Sequence, residues 1–517
     1  MKTYEPWESI NGLITQPCEE SKEPWDGDRL GPERPYIRDY SQTLTYKIML
    51  AFQNLEDPTQ SRVILRFDEA LERIKEIDTM TLGLPKIVYL VGWNAMGHDD
   101  KYPSWDIVNS FLCRPGSTDP VDDLRWLMRE AQRYHTSVSL HLNSSDAYKD
   151  SPLWDECKRC NIIGRRNGED FSYGVWSNKK VYPIVYKTAW ESGFYKRQID
   201  NLLAMLPELK EAGSIHSDAF LCRWTDQSSY HEEEAARRQM IRYWRDCGID
   251  LTSEFIYGGG EKEGEDVLGA LNGNHVESSG LIGLQAYAWH LAQDEKYWFS
   301  RPASLLAGGA FPHMVNPFVL EEGYEKIAFL YGCSMHVEDI LLDVFRKTEE
   351  EAEVLPDAFA KKSEEKRSFE DVFIERFYTT TAMYVYLNRF QNVDIKETDG
   401  VTVLTKADGL VATYSSDPAK RTITKNGILI RQDNDVFVPL CWKEHPAVAA
   451  FSEKGYEQTE WTLLPEWEKI READVYIVSQ DGLTQKHTGL PISEQRSITL
   501  SLAPKQAMYI IPAGNKC

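Results

Sequence analysis

Residues 213–224 read GSIHSDAFLCRW, a short apolar run with Asp218 inside it. Further on, IDLTSEFIYGGG places Glu254 in a second such run that opens into glycines. Burying an unpaired carboxylate is costly, so each acid needs a reason to be there. Two carboxylates at the ends of neighbouring strands suit cleavage of a glycosidic bond. One attacks the anomeric carbon; the other protonates the leaving oxygen and then activates water. A retaining reaction wants the pair roughly 5–5.5 Å apart, and strands about 4.8 Å apart can deliver that spacing. Taken alone the pattern also fits helix N-caps or metal ligands.

Other polar groups gather where strands are expected to end. VGWNAMGHDD (91–100) carries Trp93, His98, Asp99 and Asp100, and HLNSSDAY (141–148) carries His141, Asn143, Asp146 and Tyr148. QAYAWH (285–290) carries Gln285, Trp289 and His290, and Trp224 follows the Asp218 strand. Each has a bland role available: Asn143 and Asp146 as turn residues, His141 as a core histidine, Trp289 as packing. Together they offer hydrogen bonds for vicinal hydroxyls and a flat face for a sugar ring.

The elements that must position these groups alternate. YKIMLAF (46–52), PKIVYLVGW (85–93), SVSLHLN (137–143), SIHSDAFL, IDLTSEF (249–255) and LIGLQAYAW (281–289) read as strands. Between them, 61–77, 119–135, 195–213 and 231–248 read as helices, with Asp119 a predicted N-cap and Gly213 a stop. Apolar strands alternating with helices predict a buried parallel sheet. With no GxGxxG, a (β/α)8 TIM-type barrel is the expected α/β fold, its chemistry at the C-terminal ends of the strands. Residues 369–390 have helix length, although YTTTAMYVY also suits a strand. After about residue 393, short alternating runs split by DG and NG predict an antiparallel β-sandwich. The expected organisation is an N-terminal arm over 1–45, a catalytic barrel over 46–392 and a β-sandwich over 393–517.

Composition narrows the partners. The 517-residue chain carries a net charge of −23, which opposes a phosphate backbone, so no nucleic-acid partner is expected. No apolar run is long enough for a membrane span, and the first twenty residues lack a secretory h-region, which predicts a cytoplasmic protein. Nine scattered cysteines suit reduced thiols. Cys157 and Cys160 form a CxxC with no second pair for zinc, and neither HxH nor HExxH occurs. No metal and no cofactor are therefore expected. Fifteen tryptophans are compatible with a carbohydrate partner. The oligomeric state is not legible.

GWNAMGHDDKYPSW, then SVSLHLNSSDAY, then HSDAF and TSEF, resemble the catalytic barrel of the endo-α-N-acetylgalactosaminidases of glycoside hydrolase family 101. They also resemble the related intracellular α-N-acetylgalactosaminidases of family 129. The resemblance spans about residues 46–290. It implies that Asp218 is the nucleophile and Glu254 the acid/base. It further implies that Trp93, His98 and Asp99 contact the sugar, and that His141 and Asn143 shape the pocket floor. Trp224, Gln285 and Trp289 complete the expected substrate-binding set. Family 101 enzymes are longer and secreted, with extra carbohydrate-binding domains, and the Asp218 strand lacks their aromatic-rich form. The expectation is a retaining α-glycosidase that removes a terminal α-linked N-acetylgalactosamine, or a related α-hexoside, from small glycans or glycopeptides. Endo-action releasing a disaccharide, a catalytically silent sugar-binding barrel, and a metal-dependent hydrolase using His98, Asp99 and His141 are the alternatives.

Overall fold

The computed structural model describes residues 37–39, 42–218, 220, 223–253, 326, 329–330, 332, 368–390 and 392–515. The expected strand at 281–289 lies outside them.

Five parallel strands carry the first half of the chain: β1 (Leu44–Met49), β2 (Lys86–Val91), β3 (Thr136–Asn143), β7 (Ser214–Asp218) and β8 (Asp250–Ser253). They pair in chain order, and every pairing in this sheet is parallel. Helices α1 (Phe67–Met80) and α2 (Pro120–Ala131) fill the first two crossovers. The next crossover holds short strands β4 (Asp146–Ala147), β5 (Gly174–Trp176) and β6 (Lys179–Pro183), then helices α3 (Tyr186–Glu191) and α4 (Phe194–Met205). Helix α5 (Tyr230–Asp246) precedes β8.

Local chemistry explains most boundaries. Asp119 caps α2 as expected, its carboxylate accepting from the Val121 and Asp122 amides, with Pro120 at the first helical position. Ser229 and Glu232 form a capping box at the start of α5. Two expected helices are shorter than their apolar spacing suggested. Over 61–77, Ser61–Val63 instead pairs with Ala51–Gln53, and the helix begins at Phe67. Over 195–213, Pro207 interrupts the helix because it offers no N–H; a short turn Leu209–Ala212 follows and ends at Gly213, φ +63°. Gly92, φ +73°, ends β2 where a Cβ would lie 2.0 Å from the Ala51 carbonyl oxygen, so only glycine lets these two segments approach.

The ambiguous 369–390 stretch is helical: Phe369–Arg376, a five-residue π segment Phe377–Thr381, then Ala382–Leu387. Ser368 accepts from the Asp371 amide and caps the start, and burial of the aromatic residues overrides their strand propensity. Beyond it, ten strands between Asn392 and Pro512 form one antiparallel sheet. The DG and NG signals form tight turns. Asp399–Gly400 and Asn426–Gly427 have φ of +51°, +72° and +51°, +78°, the backbone that two-residue hairpins need. The last strand, Gln506–Pro512, inserts between Val448–Ser452 and Glu472–Ser479.

This β region and its helical lead-in both pack on the α/β part. Tyr378 donates to the Met80 carbonyl at 2.9 Å, and Trp442 Nε1 donates to the Leu82 carbonyl at 3.1 Å. One continuous buried cluster runs from Leu44 through Tyr378 to Ile511.

Candidate active site

Strand alternation sorts the side chains of the parallel sheet onto two faces. Val138, Leu140 and Leu142 of β3 share one face and belong to the apolar core. The other face is polar. It carries Tyr89 of β2, Ser139, His141 and Asn143 of β3, and Ser214, His216 and Asp218 of β7. The parallel register sets His216 beside His141 and Asp218 beside Asn143. Tyr89 and Ser214 join through their hydroxyls at 2.6 Å, and His216 Nδ1 lies 2.8 Å from Thr252 Oγ1 on β8. The ring of His141 lies 5.4 Å from those of His98 and His216.

Asp218 ends β7 and is 18% exposed. One of its oxygens lies 3.4 Å from Asn143 Nδ2 and 3.6 Å from His141 Nε2. The same Asn143 nitrogen donates to Asp146 at 2.9 Å, while Asn143 Oδ1 accepts from the Ser145 and Asp146 amides. Asn143 is thus a clamp: its oxygen holds the turn after β3, and its nitrogen spans two carboxylates. Ser144 and Ser217 tie the same two strand ends together at 2.7 Å. Behind β7, the buried Arg237 of α5 donates to the Phe220 carbonyl at 3.1 Å and fixes the chain leaving Asp218.

The loop after β2 supplies His98 and Asp99, whose Nε2 and Oδ2 lie 3.5 Å apart. Its backbone is unusual, with Ala95, Asp99 and Lys101 all at positive φ. It is pinned where the His98 amide donates to the Ala51 carbonyl and where Asp100 accepts from the Met96 amide and pairs with Lys179. Gly97, φ +128°, lies where a Cβ would meet the Phe52 backbone at 2.5 Å, so the loop sits directly on that strand.

Trp93 is fully buried, and its indole N–H donates to the His141 carbonyl at 2.8 Å. It braces β3 from inside the fold. Trp105 does the same for the Asn143 carbonyl at 3.0 Å. Trp224 has the Arg166 guanidinium 5.4 Å over its ring, and its carbonyl accepts from Arg166 Nε. Glu254 follows Ser253, the last residue of β8; Glu254, Gln285 and Trp289 lie outside the described residues.

Several members of the cluster had no role in the sequence reading. Tyr173 donates to Asp146, and Arg223 stacks on the Tyr173 ring at 3.5 Å with its NH1 3.8 Å from Asp146. Tyr173 arrives with the hairpin of β5 and β6, which pairs onto β4, so no linear spacing connects it to Asp146. His216 could have been found: it stands two residues before Asp218, on the same side of the strand. Burial pushes the Tyr102, Tyr148 and Tyr173 hydroxyls well above the ordinary phenol range. The nearby carboxylates Asp99 and Asp146 add to this, at Tyr102 and Tyr148 for Asp99 and at all three for Asp146. These phenols stay protonated, and that of Tyr173 donates to Asp146. Those of Tyr102 and Tyr148 are buried and make no hydrogen bond with a described residue.

A carboxylate at the C-terminal end of a parallel strand, held by an amide and flanked by imidazoles, is an arrangement suited to chemistry at a sugar carbon. Residues 42–264 match the model of glycoside hydrolase family 101, described as endo-alpha-N-acetylgalactosaminidase. The resemblance carried by the GHD and HLNSSDAY motifs is thereby borne out. Among solved structures the chain is similar to alpha-N-acetylgalactosaminidase NagBb from Bifidobacterium bifidum, in complex with GalNAc. The identity is 15% and the TM-score 0.45, over 76% of this chain and 59% of that one. It is also similar to the GH36 alpha-galactosidase AgaA from Geobacillus stearothermophilus, with 12% identity and a TM-score of 0.36, over 93% of this chain and 57% of that one. A third is the alpha-amylase from Geobacillus thermoleovorans complexed with acarbose, with 13% identity and a TM-score of 0.37, over 92% and 100%. The chain spans less than two thirds of the length of the first two. No helix among the described residues is long and apolar enough to cross a membrane.

Proposed function

We propose that this protein is a retaining α-glycosidase that removes a terminal α-linked N-acetylgalactosamine, or a related α-hexoside, from small glycans or glycopeptides. The observation that carries the reading is the seat of Asp218. It closes a parallel strand, partly open to solvent, within reach of Asn143 and His141. Asp218 attacks the anomeric carbon and Glu254 protonates the departing oxygen, then activates the water that releases the sugar. The Asn143 amide and the His141 imidazole hold the nucleophile's charge and shape the pocket floor. His98 and Asp99 meet the sugar hydroxyls. The match of residues 42–264 to a glycoside hydrolase family supports this reading.

The parallel sheet, in the same proposal, is part of a (β/α)8 barrel over about residues 46–392, followed by a β-sandwich over 393–517. In-order parallel pairing of five strands is what such a barrel requires. A cytoplasmic setting belongs to the proposal too; the Cys157 and Cys160 thiols are unbridged, as that compartment would keep them.

The test is a screen of nitrophenyl α- and β-glycosides, with the anomer of the first-released sugar followed by NMR. The expected result is turnover of an α-glycoside with the α-anomer released first, lost by about three orders of magnitude or more in Asp218→Asn. Wild-type turnover in that variant, or the β-anomer as first product, overturns the reading.

A further inference from the structure

Among the described residues, one ring nitrogen each from His98 and His141 and one oxygen of Asp218 lie within 4.8 Å of one another. They come from three separate segments: the loop after β2, the body of β3 and the end of β7. We propose that these three side chains form a binding site for a divalent transition ion of borderline softness, with Zn2+ as the type, and that the ion inhibits the enzyme reversibly.

Ligand chemistry selects the ion. Two imidazoles and one carboxylate are a nitrogen-rich set that suits zinc, nickel or copper, whereas calcium and magnesium want oxygens. Ligand bonds of about 2.0–2.2 Å put neighbouring donors in a tetrahedral shell roughly 3.4 Å apart. His141 Nε2 and Asp218 Oδ2 already stand at 3.6 Å. His98 has the remaining distance to cover and the freedom to do so. Its side chain is 21% exposed, its backbone is pinned at Ala51, and its Nδ1 makes no hydrogen bond with a described residue. Asp99 Oδ2, 3.5 Å from His98 Nε2, is placed to orient that imidazole from outside the ligand set. His141 is held from behind by the Trp93 bond to its carbonyl, so the pair His141–Asp218 is preorganised and His98 closes on it.

Inhibition follows from the identity of the third ligand. An oxygen of Asp218 that donates its lone pair to a cation cannot attack an anomeric carbon. This consequence rests on the nucleophile role proposed above; the binding itself does not.

The experiment uses the full chain, stripped with chelator and exchanged into metal-free buffer. Isothermal titration with Zn2+ is run on wild type, His98→Gln and Asp218→Asn, with Co2+ absorption spectra alongside. His98 is partly exposed and Asp218→Asn is isosteric, so both variants are expected to fold. The expected result is one site with a micromolar dissociation constant, weakened at least tenfold in each variant. The Co2+ complex should show ligand-field bands without thiolate charge transfer. Unchanged affinity in both variants, or thiolate bands that vanish in Cys157→Ser, overturns the site. Aryl α-glycoside turnover that Zn2+ abolishes and chelator restores supports the inhibitory role; turnover indifferent to saturating Zn2+ overturns it. A chain that binds Zn2+ as expected but cleaves no glycoside supports the site while removing the functional reading, so the two failures are separable.

Discussion

Asn143 and Asp218 meet through one amide nitrogen, which lies 3.4 Å from Asp218 and 2.9 Å from Asp146. The nucleophile proposed here is therefore not aimed by its own strand alone. It shares a donor with a buried carboxylate that Tyr173 and Ser145 hold in turn.

Changing that donor should separate charge from shape. Asn143→Asp keeps the oxygen that accepts from the Ser145 and Asp146 amides but replaces the shared donor by a third carboxylate. Like charges at this range disfavour ionisation, so one of the coupled acids takes up a proton at higher pH. The acid limb of the kcat/KM–pH profile should move upward, and the plateau should fall by about 10²-fold. A profile that superimposes on wild type would show that the Asn143 contact is irrelevant to the chemistry.

Trp93 should behave as a brace. Trp93→Phe removes the buried N–H that serves the His141 carbonyl and should cost about 1–3 kcal/mol of stability in a denaturant titration. Turnover of the fraction that remains folded should change less than about tenfold. Unaltered stability with collapsed turnover would instead make Trp93 a substrate contact.

Lys406 offers a pH test remote from the site. It is buried in the strand Val401–Lys406, and burial pushes its ammonium down to about 7. A depressed lysine binds its proton more weakly in the folded state than in the unfolded chain. Its burial cost is full below about pH 7, and it fades as pH rises toward the ordinary value of 10.5. Lys406→Met should therefore stabilise the protein by roughly 3–5 kcal/mol near pH 6, and by much less near pH 9. Thermal melts of both proteins at the two pH values give the difference directly. A stabilisation independent of pH would mean that the native lysine keeps its charge.

Much of the positioning framework was readable along the chain. Apolar runs marked β2 and β3, Asp119 announced the start of α2, and the Asp–Gly and Asn–Gly pairs located hairpin turns. These signals are local: each rests on a few adjacent residues meeting a fixed backbone geometry. The failures are local rules overruled at a distance. Ser61–Val63 left its apparent helix because Ala51–Gln53 offered a pairing partner; over 369–390, where the pattern left helix and strand open, the helix buries Phe369, Phe373, Phe377, Tyr378, Tyr384 and Tyr386.

From sequence alone, the types and order of the chemical groups were determined: a GHD loop, then His141 and Asn143, then Asp218 and Glu254. Strand alternation also determined that His141 and Asn143 share a face, as do His216 and Asp218. Tertiary structure alone decided which of these groups touch. Parallel register set Asp218 beside Asn143, and the returning hairpin carried Tyr173 to Asp146. The fold also turned Trp93 inward and gathered His98, His141 and Asp218 within 4.8 Å. The physical reason is range. Side-chain direction within a strand repeats every two residues and can be read from the chain. Contacts between segments 40 to 120 residues apart depend on register and crossover packing, which no short window of sequence contains.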